Sequence, residues 1–248
     1  MTNTMPLIRI ILLVALILPL SLVQAQVLEE ENANVDPLEP MNRSLFALNN
    51  GLDRFLIRPA AQVYHIVMPD IGERGVGNFF ANLYDANAAI NALLQWRLDG
   101  VALSGGRFLV NSTAGFLGLI DVATPIGIRP YRTDFGHTLA IWGFEPGPYI
   151  MVPVLGPRTM RSGVGTFVDL YLSPQAYLID DFTDRAILYT VEIIDGRARL
   201  LKTDELISGD RYIFVRDAYL QYRKVYVNDG IVEDNFSSGD DEDWDEEF

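Results

Sequence analysis

The sequence predicts an all-α fold, with one mainly helical domain over residues 36–228. Three observations predict it. Apolar residues recur at spacings of three and four through most of this stretch, the period of a helix buried on one face. No strand-rich run and no tandem repeat interrupts them. Hydrophobic residues make up 49% of the 248, enough for a sizeable core and too many for a wholly disordered chain.

Residues 1–25 read as an export signal rather than as part of the fold. Arg9 precedes the apolar run Ile10–Leu20, and Val23-Gln24-Ala25 ends it as a cleavage site does. An uncleaved anchor is the competing reading, but the run is short for a membrane span and Pro19 interrupts it. Residues 26–35 form a polar leader containing Glu29, Glu30 and Glu31. Asp36-Pro37-Leu38-Glu39-Pro40 is a stiff, extended entry to the domain.

The first predicted helix is Met41–Ile57, on the spacing of Leu45, Leu48, Leu52 and Phe55. Arg58-Pro59 should end it, because a residue before proline avoids the helical region. The longest helical pattern covers 73–98, with Val76, Phe79, Leu83, Ile90 and Leu94 along one face. Asn78, Asn82, Asn87 and Asn91 follow another. Asparagine is a poor helix former, so four in a row on a helix predict a polar stripe facing something wet. Residues 101–119 are rich in Gly, Ala and Ser, which let helices approach closely. Residues 143–157 carry four prolines and three glycines and read as a loop or short hairpin, with Tyr149–Val152 extended. Helix resumes after Pro157 and again over 184–206, where Asp195 and Arg199 form a favourable i,i+4 pair. Ser208-Gly209-Asp210 breaks the chain. A last helix, 210–226, places Tyr212, Val215, Tyr219, Tyr222 and Tyr226 on one face.

The formal charge is −14, from 19 basic and 33 acidic residues. Ten of the acids and no base fall in 229–248, which reads as a disordered acidic tail. The rest is close to balanced. A chain without a basic face is a poor partner for nucleic acid. With no cysteine, disulfides, thiol catalysis, cysteine-held zinc and thiol lipidation are excluded. Enzyme motifs fail in turn. His65 and His137 are the only histidines, and no G-x-S-x-G elbow accompanies them. Gly75-Val76-Gly77 starts a dinucleotide pattern, but Phe80 stands where its third glycine belongs. The tail lacks the glycine and ligand spacing of a calcium loop. No cofactor, metal or catalytic residue is expected.

Several segments, in order, resemble the MlaA/VacJ family of Gram-negative outer-membrane lipid-asymmetry proteins. They are Asp36–Arg43 (DPLEPMNR), Arg58-Pro59, Gly75–Leu83 (GVGNFFANL), Arg107–Ser112 (RFLVNS), Gly118–Ala123 (GLIDVA), Asp134–Leu139 (DFGHTL), Gly147-Pro148-Tyr149 and Tyr212–Gln221 (YIFVRDAYLQ). The resemblance implies a helical ring lying in the inner leaflet of the outer membrane, on its periplasmic side, with a central channel. Phospholipid that has strayed to the outer leaflet would pass through it to a periplasmic MlaC-like carrier. A trimeric porin is the implied partner in the membrane. Asn78 and Phe79 match the family segment in which a two-residue change makes the channel leak. Gly143, Pro146, Gly147 and Pro148 match a hairpin near the channel and are candidate gate residues. Asn82, Asn87 and Asn91 are candidates for the polar channel lining, since a headgroup loses its hydration in hydrocarbon. The acidic tail is expected to attract the carrier or merely to keep the chain soluble. Many family members are anchored through a cysteine that this chain lacks. The alternative function is a porin-associated envelope protein that binds lipid without transferring it.

Overall fold

The computed structural model describes residues 36–202 and 209–229. The expected signal, the leader and the acidic tail beyond Asp229 lie outside the described residues. The elements in chain order are α1 (Glu39–Leu52), a π-helical turn (Asp53–Ile57), α2 (Arg58–Val67), α3 (Asp70–Leu94), α4 (Leu98–Thr113), α5 (Phe135–Ile141), β1 (Tyr149–Val152), β2 (Gly156–Thr159), α6 (Met160–Leu172), α7 (Pro174–Leu178), α8 (Phe182–Arg199) and α9 (Arg211–Val227). The fold is mostly helical with one two-stranded hairpin.

Side-chain caps set several helix starts. Asp134 accepts the His137 N–H at the start of α5. Thr159 and Ser162 form a reciprocal capping box on α6. Asp181 and Asp210 cap α8 and α9. The i,i+4 pair expected in α8 is present, with Arg199 2.9 Å from Asp195.

Pro59 does not end the first helix, contrary to expectation. The chain runs on helically from Glu39 to Val67 through the π turn, in which the Arg58 N–H donates to the Asp53 carbonyl. The wider turn accommodates the Pro59 ring and its missing N–H, and Pro59 then sits in the first turn of α2, where proline is tolerated. The small-residue stretch 101–119 is helical only to Thr113, and turns follow, with Phe116 and Leu117 at positive φ. A close helix crossing through small residues also lies elsewhere. Gly136 of α5 and Gly165 of α6 cross so tightly that a Cβ on Gly165 would sit 2.4 Å from the Gly136 nitrogen.

Burial is unusual. Among the described residues, more polar and charged side chains are buried than hydrophobic ones, and large exposed hydrophobics outnumber both. Phe55, Ile66, Ile71, Trp96, Phe116, Leu178 and Phe182 are all exposed. A small apolar core joins Tyr149, Met151 and Tyr212, with Leu45 and Phe46 packed on it.

The remaining interior is stitched by polar contacts. Asn42 donates to Asp36 and to the Tyr149 carbonyl and accepts the Met151 N–H, while the Tyr212 hydroxyl donates to Asp36. Asn49, one heptad on, pairs likewise with Val152 and Val154, so α1 clamps the edge of β1. Buried Arg107 reaches Asp85 at 3.0 Å and Asp121 at 3.3 Å, and Asn111 accepts the N–H groups of Val122 and Ala123. These two residues of α4 pin the long loop that leads to α5.

Among the described residues, no helix is long and apolar enough to cross a membrane.

Candidate functional site

A cavity of about 360 Å³ lies among α3, β2, α6, α7, α8 and α9. Each wall follows from a local feature. Leu83, Tyr84 and Asn87 face it from successive turns of α3. The Asp134 carboxylate, held in place as the α5 cap, reaches its edge. The capping box orients Ser162, with Thr166 and Asp169 further along the same face of α6 and Ser173 at the junction with α7. Tyr189 and Glu192 come from α8, and Tyr219, Tyr222, Arg223 and Tyr226 from α9. Of the face predicted on the last helix, Tyr219, Tyr222 and Tyr226 form an amphipathic wall, apolar in its rings and polar at its tips, while Tyr212 packs in the apolar core and Val215 lines another cavity. The Tyr219 hydroxyl lies 2.6 Å from Ser162 Oγ, and the Tyr226 and Tyr84 hydroxyls are 3.0 Å apart.

Charge in the cavity is partly neutralised. Arg223 donates to Asp134 at 2.5 and 3.3 Å. Burial disfavours its charge, but this pairing outweighs the penalty and raises its pKa. Asp169 accepts N–H groups from Phe135, Asn87 and Asn91 at 2.8 to 3.2 Å. Burial nevertheless pushes its pKa up to about 6, since three neutral donors do not replace water and a cation. Arg158 donates to Thr166 Oγ1 at 3.1 Å and to the Pro157 carbonyl at 2.6 Å, and no described carboxylate pairs with it. Burial lowers its pKa, and the neighbouring Arg223 adds to the effect.

The residues singled out from the sequence are distributed around this cavity. Asn87 is on its wall. Asn91 is buried beside it, held by Asp169 and by the Thr138 hydroxyl. Asn82 is buried against Ser112 of α4. Asn78 donates to the Leu119 carbonyl and lines a separate open cleft of about 500 Å³ with Asp70, Glu73 and Arg199. Phe79 packs edge-on against Phe80, which lines the central cavity, with ring centroids 5.4 Å apart. Gly143, Pro146, Gly147 and Pro148 lie off the cavity wall, in the segment entering the hairpin. The Pro146 and Pro148 carbonyls accept the N–H groups of Arg161 and Met160 at the head of α6.

Sequence reasoning missed Arg158, Asp169 and Glu192. Only the tertiary fold brings these isolated charges together, and no spacing marks them. A third cavity, about 440 Å³ and largely apolar, lies between α1, the hairpin and α8.

His65 and His137 have structural surroundings. His65 pairs with Glu73 at 2.7 Å. His137 is buried with Nδ1 3.2 Å from Thr133 Oγ1, and burial lowers its pKa.

The family profile described as MlaA lipoprotein matches residues 34–225. The chain belongs to the MlaA lipoprotein family. It is 33% identical over 207 residues to the intermembrane phospholipid transport system lipoprotein MlaA of Escherichia coli K12, covering 81% of this chain and 82% of that one. The namesake from Haemophilus influenzae is 32% identical over 215 residues, 83% and 85% of the two chains. An uncharacterised protein of Rickettsia typhi is 35% identical over 195 residues, 77% and 78% of the two. A solved chain described under the structural basis for maintenance of bacterial outer membrane lipid asymmetry superposes with a TM-score of 0.68 at 36% identity, covering 77% of this chain and 98% of that one. MlaA proteins are transport proteins, so this chain is not an enzyme. It departs from the family's name in one respect: without cysteine, it has no thiol to carry a lipid.

Proposed function

We propose that this chain is the outer-membrane channel component of an intermembrane phospholipid transport system. It takes mislocalised phospholipid from the outer leaflet and passes it to a periplasmic MlaC-like carrier, with a trimeric porin beside it in the membrane. The observation that carries this reading is the inverted burial: polar side chains inside, large apolar ones outside, and an amphipathic cavity among the helices. Such a surface loses little by lying in lipid, and such an interior spares a headgroup the cost of dehydration. In this reading the helices form a ring in the inner leaflet and the cavity is part of the channel. Asn87 contributes to its lining, with Asn82 and Asn91 supporting the same wall from behind.

Asn78 and Phe79 act as a gating element. Asn78 ties α3 to the turn after α4, and Phe79 backs Phe80 on the cavity wall. Deleting both would rotate the rest of α3 by about 200° and undo each contact. Gly143, Pro146, Gly147 and Pro148 gate from the other side, since Pro146 and Pro148 are hydrogen-bonded to the head of α6, which bears Ser162.

The test is a deletion strain assayed for outer-leaflet phospholipid. The account expects surface phospholipid to rise, the wild-type gene to restore asymmetry, and the Asn78–Phe79 deletion to leave surface phospholipid high. Failure of a well-expressed wild-type gene to restore asymmetry would overturn the transport reading. Normal surface phospholipid with a well-expressed deletion variant would overturn the gating role.

A further inference from the structure

The cavity wall carries five ionisable charges besides its tyrosines: Arg158, Arg223, Asp134, Asp169 and Glu192. Three are already accommodated. Arg223 and Asp134 neutralise each other, and Asp169 is held by amide and backbone N–H groups. That leaves one cation and one anion on different walls. Arg158, on β2, has only a hydroxyl and a carbonyl as partners. Glu192, on α8, has no hydrogen bond or ion pair among the described residues.

We propose that the cavity selects a zwitterionic glycerophospholipid headgroup, its phosphate directed to Arg158 and its ammonium to Glu192. The inference rests on the transport reading and deepens it by naming the headgroup class. An arginine fork suits phosphate oxygens, and the solvent-facing carboxylate of Glu192 on a different wall suits an ammonium group. With all five groups ionised the wall carries three negative charges against two positive, so a headgroup of net negative charge meets repulsion that a zwitterion avoids. Burial disfavours the charged form of Arg158, and the Glu192 pKa is raised by partial loss of water within the cavity, with Asp195 adding to the effect, although the residue as a whole is exposed. A phosphate relieves the part-buried Arg158, and an ammonium adds a solvent-screened attraction at the exposed Glu192.

The test titrates the purified full chain in non-ionic detergent with dihexanoyl phosphatidylethanolamine and dihexanoyl phosphatidylglycerol, followed by calorimetry. The wild type should bind the ethanolamine lipid more tightly. Glu192→Gln should weaken that lipid about fivefold and leave the glycerol lipid unchanged or tighter, the size expected for one partly screened ion pair. Glu192→Asp should retain most of the preference. Arg158→Gln should weaken both lipids, and Arg158→Lys, which keeps the charge, should recover part of the loss. Equal wild-type affinities, a preference for the glycerol lipid, or a Glu192→Gln variant that alters both lipids alike would overturn headgroup selection and leave lipid binding intact. Binding of neither lipid by the wild type would overturn this proposal and the transport reading together.

Discussion

Asn42 is buried inside a contact between three parts of the chain that are distant in sequence. Its amide joins Asp36, the backbone of β1 and, through Asp36, Tyr212 of α9. Alanine there would take one donor from the Asp36 carboxylate, which keeps Tyr212, and would remove the Asn42 partner of the Tyr149 carbonyl and the Met151 N–H, a costly loss in a buried site. Asn42→Ala should destabilise the protein by about 2 to 4 kcal/mol, measured by chemical unfolding. The segment Asp36–Arg43 was recognisable in the sequence, yet its work was not, because the partners lie more than a hundred residues away. Asp169 gives a second residue-level prediction. Its folded pKa of about 6 lies above the ordinary 3.8, so the folded state holds this proton more tightly than the unfolded state does. The stabilisation linked to that proton is complete below about pH 4 and is lost as the pH rises through 6. The difference in stability between wild type and Asp169→Asn should therefore change by about 2 kcal/mol against the wild type between about pH 4 and 7. A pH-independent difference would show that the carboxylate is not desolvated.

At the scale of elements, hydrophobic period located most helices but misjudged what happens between them. The α9 pattern matched the structure and the α8 pattern matched at its start, where an aspartate caps each helix, but α8 ends at Arg199, short of the 206 expected. Pro59 misled because a local rule about proline took no account of a π turn. The asparagine stripe on α3 was visible as a stripe. Its partners, Ser112, Thr138 and Asp169, come from three other helices and were invisible. Glycines divide in the same way. Gly165 lies against Gly136, whereas Gly196, on α8, has nothing within 4 Å of its absent side chain. Gly165→Ala should therefore cost about 1 to 3 kcal/mol by forcing α5 and α6 apart. Gly196→Ala should gain up to about 1 kcal/mol from helix propensity alone. Thermal unfolding of the pair tests whether helix contact, rather than propensity, decides each site.

For the whole molecule, burial and exposure carry the argument. A chain with 49% hydrophobic residues would ordinarily collect them inside. Here Phe55, Ile66, Trp96 and Phe116 remain outside while Asn42, Asn91, Arg107 and His137 are buried. Composition could not reveal that inversion, since it records how much apolar material there is and not where it lies. The tyrosine spacing on α9 gave one face of that helix, of which Tyr219, Tyr222 and Tyr226 line the cavity; the charges in the cavity depended on chain crossings that no local pattern encodes. The most direct measurement places a photoreactive benzoylphenylalanine at Tyr189, on the cavity wall, or at Phe55, on the exposed surface, irradiates living cells, and identifies adducts by mass spectrometry. The account predicts phospholipid adducts at both positions. Adducts at Phe55 with none at Tyr189 would describe a protein that touches the bilayer but admits no lipid, and would contradict it.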